Sequence, residues 1–246
     1  MGEVHVYGVV AASERPEITA AEVRRIAHRD IAALVSDVES GQLTAARVLR
    51  AHWQVLEQAG AGCTVLPVRF GTVMAGDGAV VDEFLSPSHD ELAARLAELA
   101  GKVQLTVKGF YEEGPLMRGV VEGSPAIARL RARVQALPEA AAYYERIELG
   151  RLVAAEVERV RERDTALVLQ RLEPLALATS HEAAATLDTA VNTAFLVERD
   201  GIERFSGAVG ELGRELQGRM RLRYVGPLPA YSFTGEDTPA GSAAWA

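Results

Sequence analysis

The strongest constraint on the fold lies in the middle of the chain. From Pro125 to about Leu172 apolar residues recur at three- and four-residue spacing: Ile127, Leu130, Val134 and Leu137, then, after Pro138 restarts the pattern, Ile147, Leu149, Leu152, Val153, Val157 and Val160. Such spacing places one apolar stripe along one side of a helix, so this stretch reads as a long helix or helical hairpin. The other side mixes Glu156, Glu158, Arg159, Arg161, Glu162 and Arg163, the pattern of a solvated, salt-bridged face. Runs of β-forming residues stand before and after it, which makes the class α+β.

Val4 to Val10 is β-rich and mostly apolar, as a central strand is. Thr19-Ala20-Ala21-Glu22 has the spacing of a capping box, which opens a short helix to about His28. Ile31 to Val38 reads as a second strand. A helix from Thr44 carries Val48, Ala51, His52, Val55 and Ala59 on one stripe and ends at Gly60 and Gly62. Cys63 to Val73 is a third extended run, and Pro67 within it removes a ladder donor and so marks an edge or bulge. Helices over about 78–85 and 88–100 lead to a fourth strand, Lys102 to Tyr111. These elements predict an N-terminal domain over residues 1–112, a helix-backed sheet close to a split βαβ plan. Residues 113–124, with three glycines and Pro115, read as a linker. Residues 125–234 hold the helical segment and a C-terminal domain, with strands at about 175–183, 190–199 and Met220–Val225 and a helix from Phe205 to Gln217. Gly207, Gly210 and Gly213 share one face of that helix, which allows close backbone packing. Residues 235–246 lack apolar periodicity and read as a flexible tail.

Charge narrows the partners. The formal net charge is −8, and no segment is strongly basic, so nucleic acid, which needs a phosphate-neutralising patch, is not an expected partner. No run of about 18 uncharged apolar residues occurs and the first residues do not read as a signal peptide, so neither membrane insertion nor export is expected. The single cysteine, Cys63, has apolar neighbours and reads as a buried small hydrophobe in a reducing cytoplasm. His5, His28, His52, His89 and His181 never fall at the spacing of a metal-binding helix pair. Ser180-His181-Glu182 resembles a triad only on paper, because consecutive strand residues point to opposite faces. Neither a dinucleotide fingerprint nor a P-loop is present, and no cofactor, metal or catalytic group is expected.

Two motifs remain. The chain closes on Leu222-Arg223-Tyr224-Val225-Gly226-Pro227-Leu228-Pro229-Ala230-Tyr231-Ser232-Phe233, a strand followed by Gly-Pro-x-Pro-x-Tyr-x-Phe. Its central run is Thr64-Val65-Leu66-Pro67-Val68-Arg69-Phe70-Gly71-Thr72-Val73. Both resemble signature segments of the gas vesicle protein F/L family, and Tyr7-Gly8-Val9-Val10, Val107-Lys108 and Asn192 to Val197 match in order, so the resemblance spans roughly 4–233. It departs at Leu228 and Ala230, where tryptophan and proline are common. The resemblance implies a cytoplasmic accessory protein of two α+β domains, the second ferredoxin-like, that associates with the small hydrophobic gas vesicle shell protein and with other accessory proteins, and has no enzymatic activity. A small-molecule-binding or catalytic protein on a ferredoxin-like scaffold is the competing reading.

Within the family motifs, Pro67, Arg69, Phe70, Gly71, Gly226, Pro227, Pro229, Tyr231 and Phe233 are expected to be structural, the two prolines after Gly226 fixing the chain while Tyr231 and Phe233 bury. Arg219, Arg221 and Arg223 alternate with Met220, Leu222 and Tyr224 on the last strand and form a basic row, the candidate surface for an acidic partner segment.

Overall fold

Two sheets with the same strand order organise the protein, a computed structural model of which describes residues 2–38, 45–138, 141–182, 186 and 188–234. The first sheet uses β1 (Val4–Ala11), β2 (Arg24–His28), β3 (Ile31–Asp37), β4 (Leu66–Pro67) and β5 (Val73–Met74). Its order is β2-β3-β1-β4, with β5 also pairing β1, and every pairing is antiparallel. α1 (Ala45–Gly62) supplies Val55, Leu56 and Ala59 to a cluster with Leu34, Ala32, Tyr7 and Val10. A short helix, α2 (Asp77–Ala79), runs into a π-helical turn (Val80–Leu85), and α3 (His89–Leu99) follows. From these, Val80, Leu85, Leu96 and Leu99 pack with Val35, Ala33, Ile31, Val4, Val6 and Val9. Neighbouring residues of β3 thus feed opposite clusters, as the strand's period of two requires. On β1 a bulge between Val6 and Gly8 shifts that parity, which returns Val9 to the side of Val4 and Val6.

The connection at residues 12–23 holds no helix, and Arg24–His28 is the strand β2. The capping-box expectation fails because its donors are taken elsewhere. Gln58 Oε1 of α1 accepts from the backbone N–H of Thr19 (2.8 Å) and Ala20 (3.0 Å), and Gln58 Nε2 donates to the Thr19 hydroxyl. The extended run expected over Cys63–Val73 is realised as two short pairings, with Pro67 on the sheet edge opposite Gly8. Cys63 is half-buried rather than buried.

The second sheet uses β6 (Lys102–Tyr111), β7 (Ala178–His181), β8 (Thr189–Glu198) and β9 (Met220–Leu228) in the order β7-β8-β6-β9. Between β6 and β7 lie α4 (Glu113–Gly123), α5 (Pro125–Ala136) and α6 (Tyr143–Leu172), and between β8 and β9 lies α7 (Ile202–Glu215), so the chain order is that of a βαββαβ sheet. β6, expected as the fourth strand of the first sheet, is therefore a central strand of the second. Alternation along a strand says which faces it offers but not which strand it pairs with. Central β8 is buried from Thr189 to Val197, its polar Thr189, Asn192 and Thr193 included.

Residues 113–123, expected as linker, form α4. Each glycine there costs about 1 kcal/mol of helix propensity, but Val120 is fully buried and tertiary packing outweighs the local preference. Ser124 caps α5 by accepting from the backbone N–H of Ile127, with Pro125 at the first position, where its missing N–H costs nothing. α6 runs 30 residues, about 45 Å at 1.5 Å per residue. Its C-terminal half buries Val160, Asp164, Val168 and Leu172 at four-residue spacing. On α7 the stripe Phe205, Val209 and Leu212 is buried, whereas a Cβ added at Gly207, Gly210 or Gly213 would meet nothing within 4 Å, so the expected close backbone approach there is absent.

The chain forms two compact units: Met1–Leu105 with Ala194–Ile202 and Val225–Ala246, and Thr106–Thr193 with Glu203–Tyr224. The tail at 235–246 lies outside the described residues.

Candidate interaction surfaces

The closing motif is built around Gly226, Pro227 and Pro229. Gly226 has φ +144° and precedes a cis peptide bond to Pro227. A Cβ on Gly226 would fall 2.9 Å from both Gln104 O and Leu105 Cδ2, so the position requires glycine. Pro229 presses against α1 at Gly60, where an added Cβ would lie 2.9 Å from the proline ring. Arg199 donates to the carbonyls of Gly60 (3.0 Å) and Ala61 (3.1 Å), satisfying groups at the helix end. The Ser232 N–H donates to Gln104 Oε1 at 2.8 Å, Tyr231 lies against Trp53 with ring centroids 4.5 Å apart, and Phe233 packs on the cluster around Val4, Val6 and Leu66. The Tyr231 hydroxyl is buried with no hydrogen-bonding partner among the described residues. Burial, followed by the charge of Glu57, raises its pKa well above the ordinary tyrosine range.

The central motif makes a turn. Gly71 has φ +86°, and both the backbone N–H and the hydroxyl of Thr72 donate to the carbonyl of Arg69. Arg69 and Gly71 are exposed, and Phe70, 39% exposed, lies across two buried histidine rings at 6.2 Å (His5) and 5.5 Å (His52). His5 Nε2 and His52 Nδ1 are 3.0 Å apart, so one ring donates to the other. Desolvation, then the neighbouring His5, pushes His52 down to about 4, and burial lowers His5 too.

The arginine row does not survive as three equivalent residues. Arg219 precedes the strand and pairs at 3.3 Å with the fully buried Asp164 of α6, whose other oxygen accepts from the Tyr111 hydroxyl at 3.0 Å. Burial, then the charge of Asp164, pushes the Tyr111 pKa upward. Arg221 and Arg223 are exposed and have no ion pair among the described residues.

The residues screened for chemistry are engaged with neighbours. His181 Nδ1 lies 3.2 Å from the Thr193 hydroxyl and Glu182 accepts from Asn192, while His52 is held by His5. Burial, then nearby Glu14, raises the Cys63 thiol pKa, opposite to the shift a nucleophilic thiolate needs. Among the described residues no group of three or more His, Cys, Asp or Glu is placed to hold a metal, and no helix is long and apolar enough to cross a membrane.

A surface the sequence pattern did not reveal opens α6. Tyr143 is 63% exposed, Tyr144 80% and Ile147 55%, the two tyrosine rings meeting edge to face at 5.4 Å. Position 147 belongs to the apolar stripe, yet the stripe is covered only further along the helix. The adjacent tyrosines at the helix start were the available signal.

This two-sheet α+β architecture is of the kind seen in crystal structures of gas vesicle protein GvpF. That of GvpF from Anabaena sp. PCC7120 superposes with a TM-score of 0.82 at 24% identity, over 95% of this chain and 98% of that one. That of GvpF from Microcystis aeruginosa gives 0.77 at 23%, over 95% and 99%. The chain belongs to the gas vesicle synthesis protein GvpL/GvpF family, whose family model matches residues 3–235. It is 34% identical to gas vesicle protein F of Streptomyces sp. (strain CB03234), over 86% of this chain and 87% of that protein. With gas vesicle protein F of Nostoc sp. (strain PCC 7120) it shares 28%, over 78% of each. Its role is accordingly a gas-vesicle-related one.

Proposed function

We propose that the protein is a cytoplasmic, non-enzymatic assembly factor that binds the small hydrophobic gas vesicle shell protein and covers its apolar surface before it enters the vesicle wall. The observation that carries this reading is the uncovered Tyr143, Tyr144 and Ile147 at the start of α6. Solvent-exposed aromatic clusters mark interaction sites, and tyrosine is well suited to them, with a rigid apolar body and a hydroxyl that stays hydrated until docking. A partner that removes on the order of 100 Å² of one such ring from water gains about 2.5 kcal/mol gross. The α4–α5–α6 cluster gives the patch a firm base, since the three helices pack on one another and Arg133 of α5 pairs with Glu145 of α6 at 3.3 Å.

The test is retention of purified shell protein by the immobilised chain at low micromolar concentration. The assembly role predicts retention, weakened by Tyr144→Ser with Ile147→Ser at unchanged melting temperature. No retention by the parent would refute it.

A further inference from the structure

β9 is an outer strand of its sheet and, among the described residues, pairs on one side only, with β6. An unpaired strand edge is a template for another chain, and proteins guard such edges with charge. Arg221 and Arg223 supply that charge, since both are exposed and neither has an ion pair among the described residues. Some arginines of the same unit are neutralised, Arg151 by Glu148, Arg161 by Glu158, Arg171 by Glu215 and Arg219 by Asp164, whereas Arg221 and Arg223 keep their charge facing solvent. Met220 is buried beneath the strand, and Tyr224 is tied by its hydroxyl to Ser206 of α7, so the edge is held firmly. A guard of one sign repels most strands and admits those of opposite sign.

We propose that the outer edge of β9 around Arg221 and Arg223 is a docking strip for an extended acidic segment of a partner protein, a site separate from the apolar start of α6. Residues two apart on a strand stand about 6.8 Å apart on one side. An added strand with acidic residues at alternate positions repeats that spacing, so each guanidinium can take one carboxylate while the backbones continue the ladder. Pro227 lacks an N–H and bounds the strip on its C-terminal side.

The experiment titrates the full isotope-labelled chain with a short blocked peptide alternating glutamate and threonine, following amide shifts, beside the same peptide with glutamine for glutamate. The expected result is shifts centred on Met220–Tyr224, affinity at least about tenfold lower for the glutamine peptide, and a comparable loss in about 0.5 M salt, where screening acts over roughly 3–5 Å. R221E/R223E should lose about tenfold or more, and R221Q/R223Q, which keeps the strand without added repulsion, should lose several-fold with an unchanged amide spectrum elsewhere. The proposal is overturned if the parent fails to bind, if R221Q/R223Q binds as the parent does, if the glutamine peptide binds equally, or if a thymidine oligonucleotide moves the same amides at lower concentration than the acidic peptide.

Discussion

Tyr231 offers a paired test of how the family's closing motif holds the protein together. Its ring is largely buried and packed on Trp53, so Tyr231→Ala opens a cavity beside the middle of α1. Aromatic-to-alanine changes at well-packed sites cost about 3–5 kcal/mol, and partial exposure places this one near the lower end, about 3 kcal/mol. For a chain of this length each kcal/mol moves the melting temperature by about 2–4 °C, so a fall of about 6–12 °C is expected. Tyr231→Phe should behave oppositely. The hydroxyl is desolvated with no partner among the described residues, a burden of about 1–3 kcal/mol that phenylalanine lacks. Its melting temperature should equal the parent's or rise by a few degrees. Calorimetric melts of the three proteins decide it. A clear fall for Tyr231→Phe would show that the hydroxyl has a partner, and an unchanged melt for Tyr231→Ala with lost shell-protein binding would show that the motif is a docking groove.

Three further outcomes are expected. Gly210→Ala on α7 should raise stability by about 1 kcal/mol in chemical denaturation, because the added methyl meets nothing and alanine is the better helix former. Asp164→Ala should cost about 2–4 kcal/mol in the same assay, since it leaves the Tyr111 hydroxyl without its acceptor and Arg219 without its carboxylate. The buried His5–His52 pair makes the protein acid-sensitive. His52 titrates near 4 when folded and near 6.5 when unfolded, so the unfolded chain binds the extra proton, and about 3 kcal/mol is lost as pH falls from about 6.5 to 4. His52→Gln should flatten stability over that window, and an equal slope in parent and variant would exclude the pair as its source.

Much of this fold was legible in the sequence where local pattern and tertiary environment agree. β1, β3 and β8 are apolar because they are covered on both sides, and α7 shows its stripe because one face is buried. The failures have distant causes. Thr19 and Glu22 looked like a helix start because Gln58, which takes the local donors, lies 39 residues further along. Glycines in α4 suggested a linker because the burial of Val120 is invisible locally. The bulge in β1 reorders which residues share a face, and the lone Gly8 inside the strand hints at it without saying which residues change sides. The candidate surfaces divide in the same way. The arginine alternation was readable, but not that Arg219 belongs to Asp164, since one buried aspartate in a charged helix looks like its neighbours. Periodicity placed Ile147 on the apolar side of α6; whether anything covers that side depends on residues far away in sequence.

The proposed binding of shell protein through the start of α6 is tested most directly by the dissociation constant for purified gas vesicle shell protein, measured by titration calorimetry on the parent and on Tyr144→Ser. The Tyr144 side chain is exposed in the free protein, so the substitution leaves the fold and melting temperature unchanged. Loss of a buried aromatic contact worth more than about 1.4 kcal/mol predicts a dissociation constant at least about tenfold higher. Equal constants for the two proteins would contradict the placement of the site, and no measurable heat for the parent would contradict shell-protein binding itself.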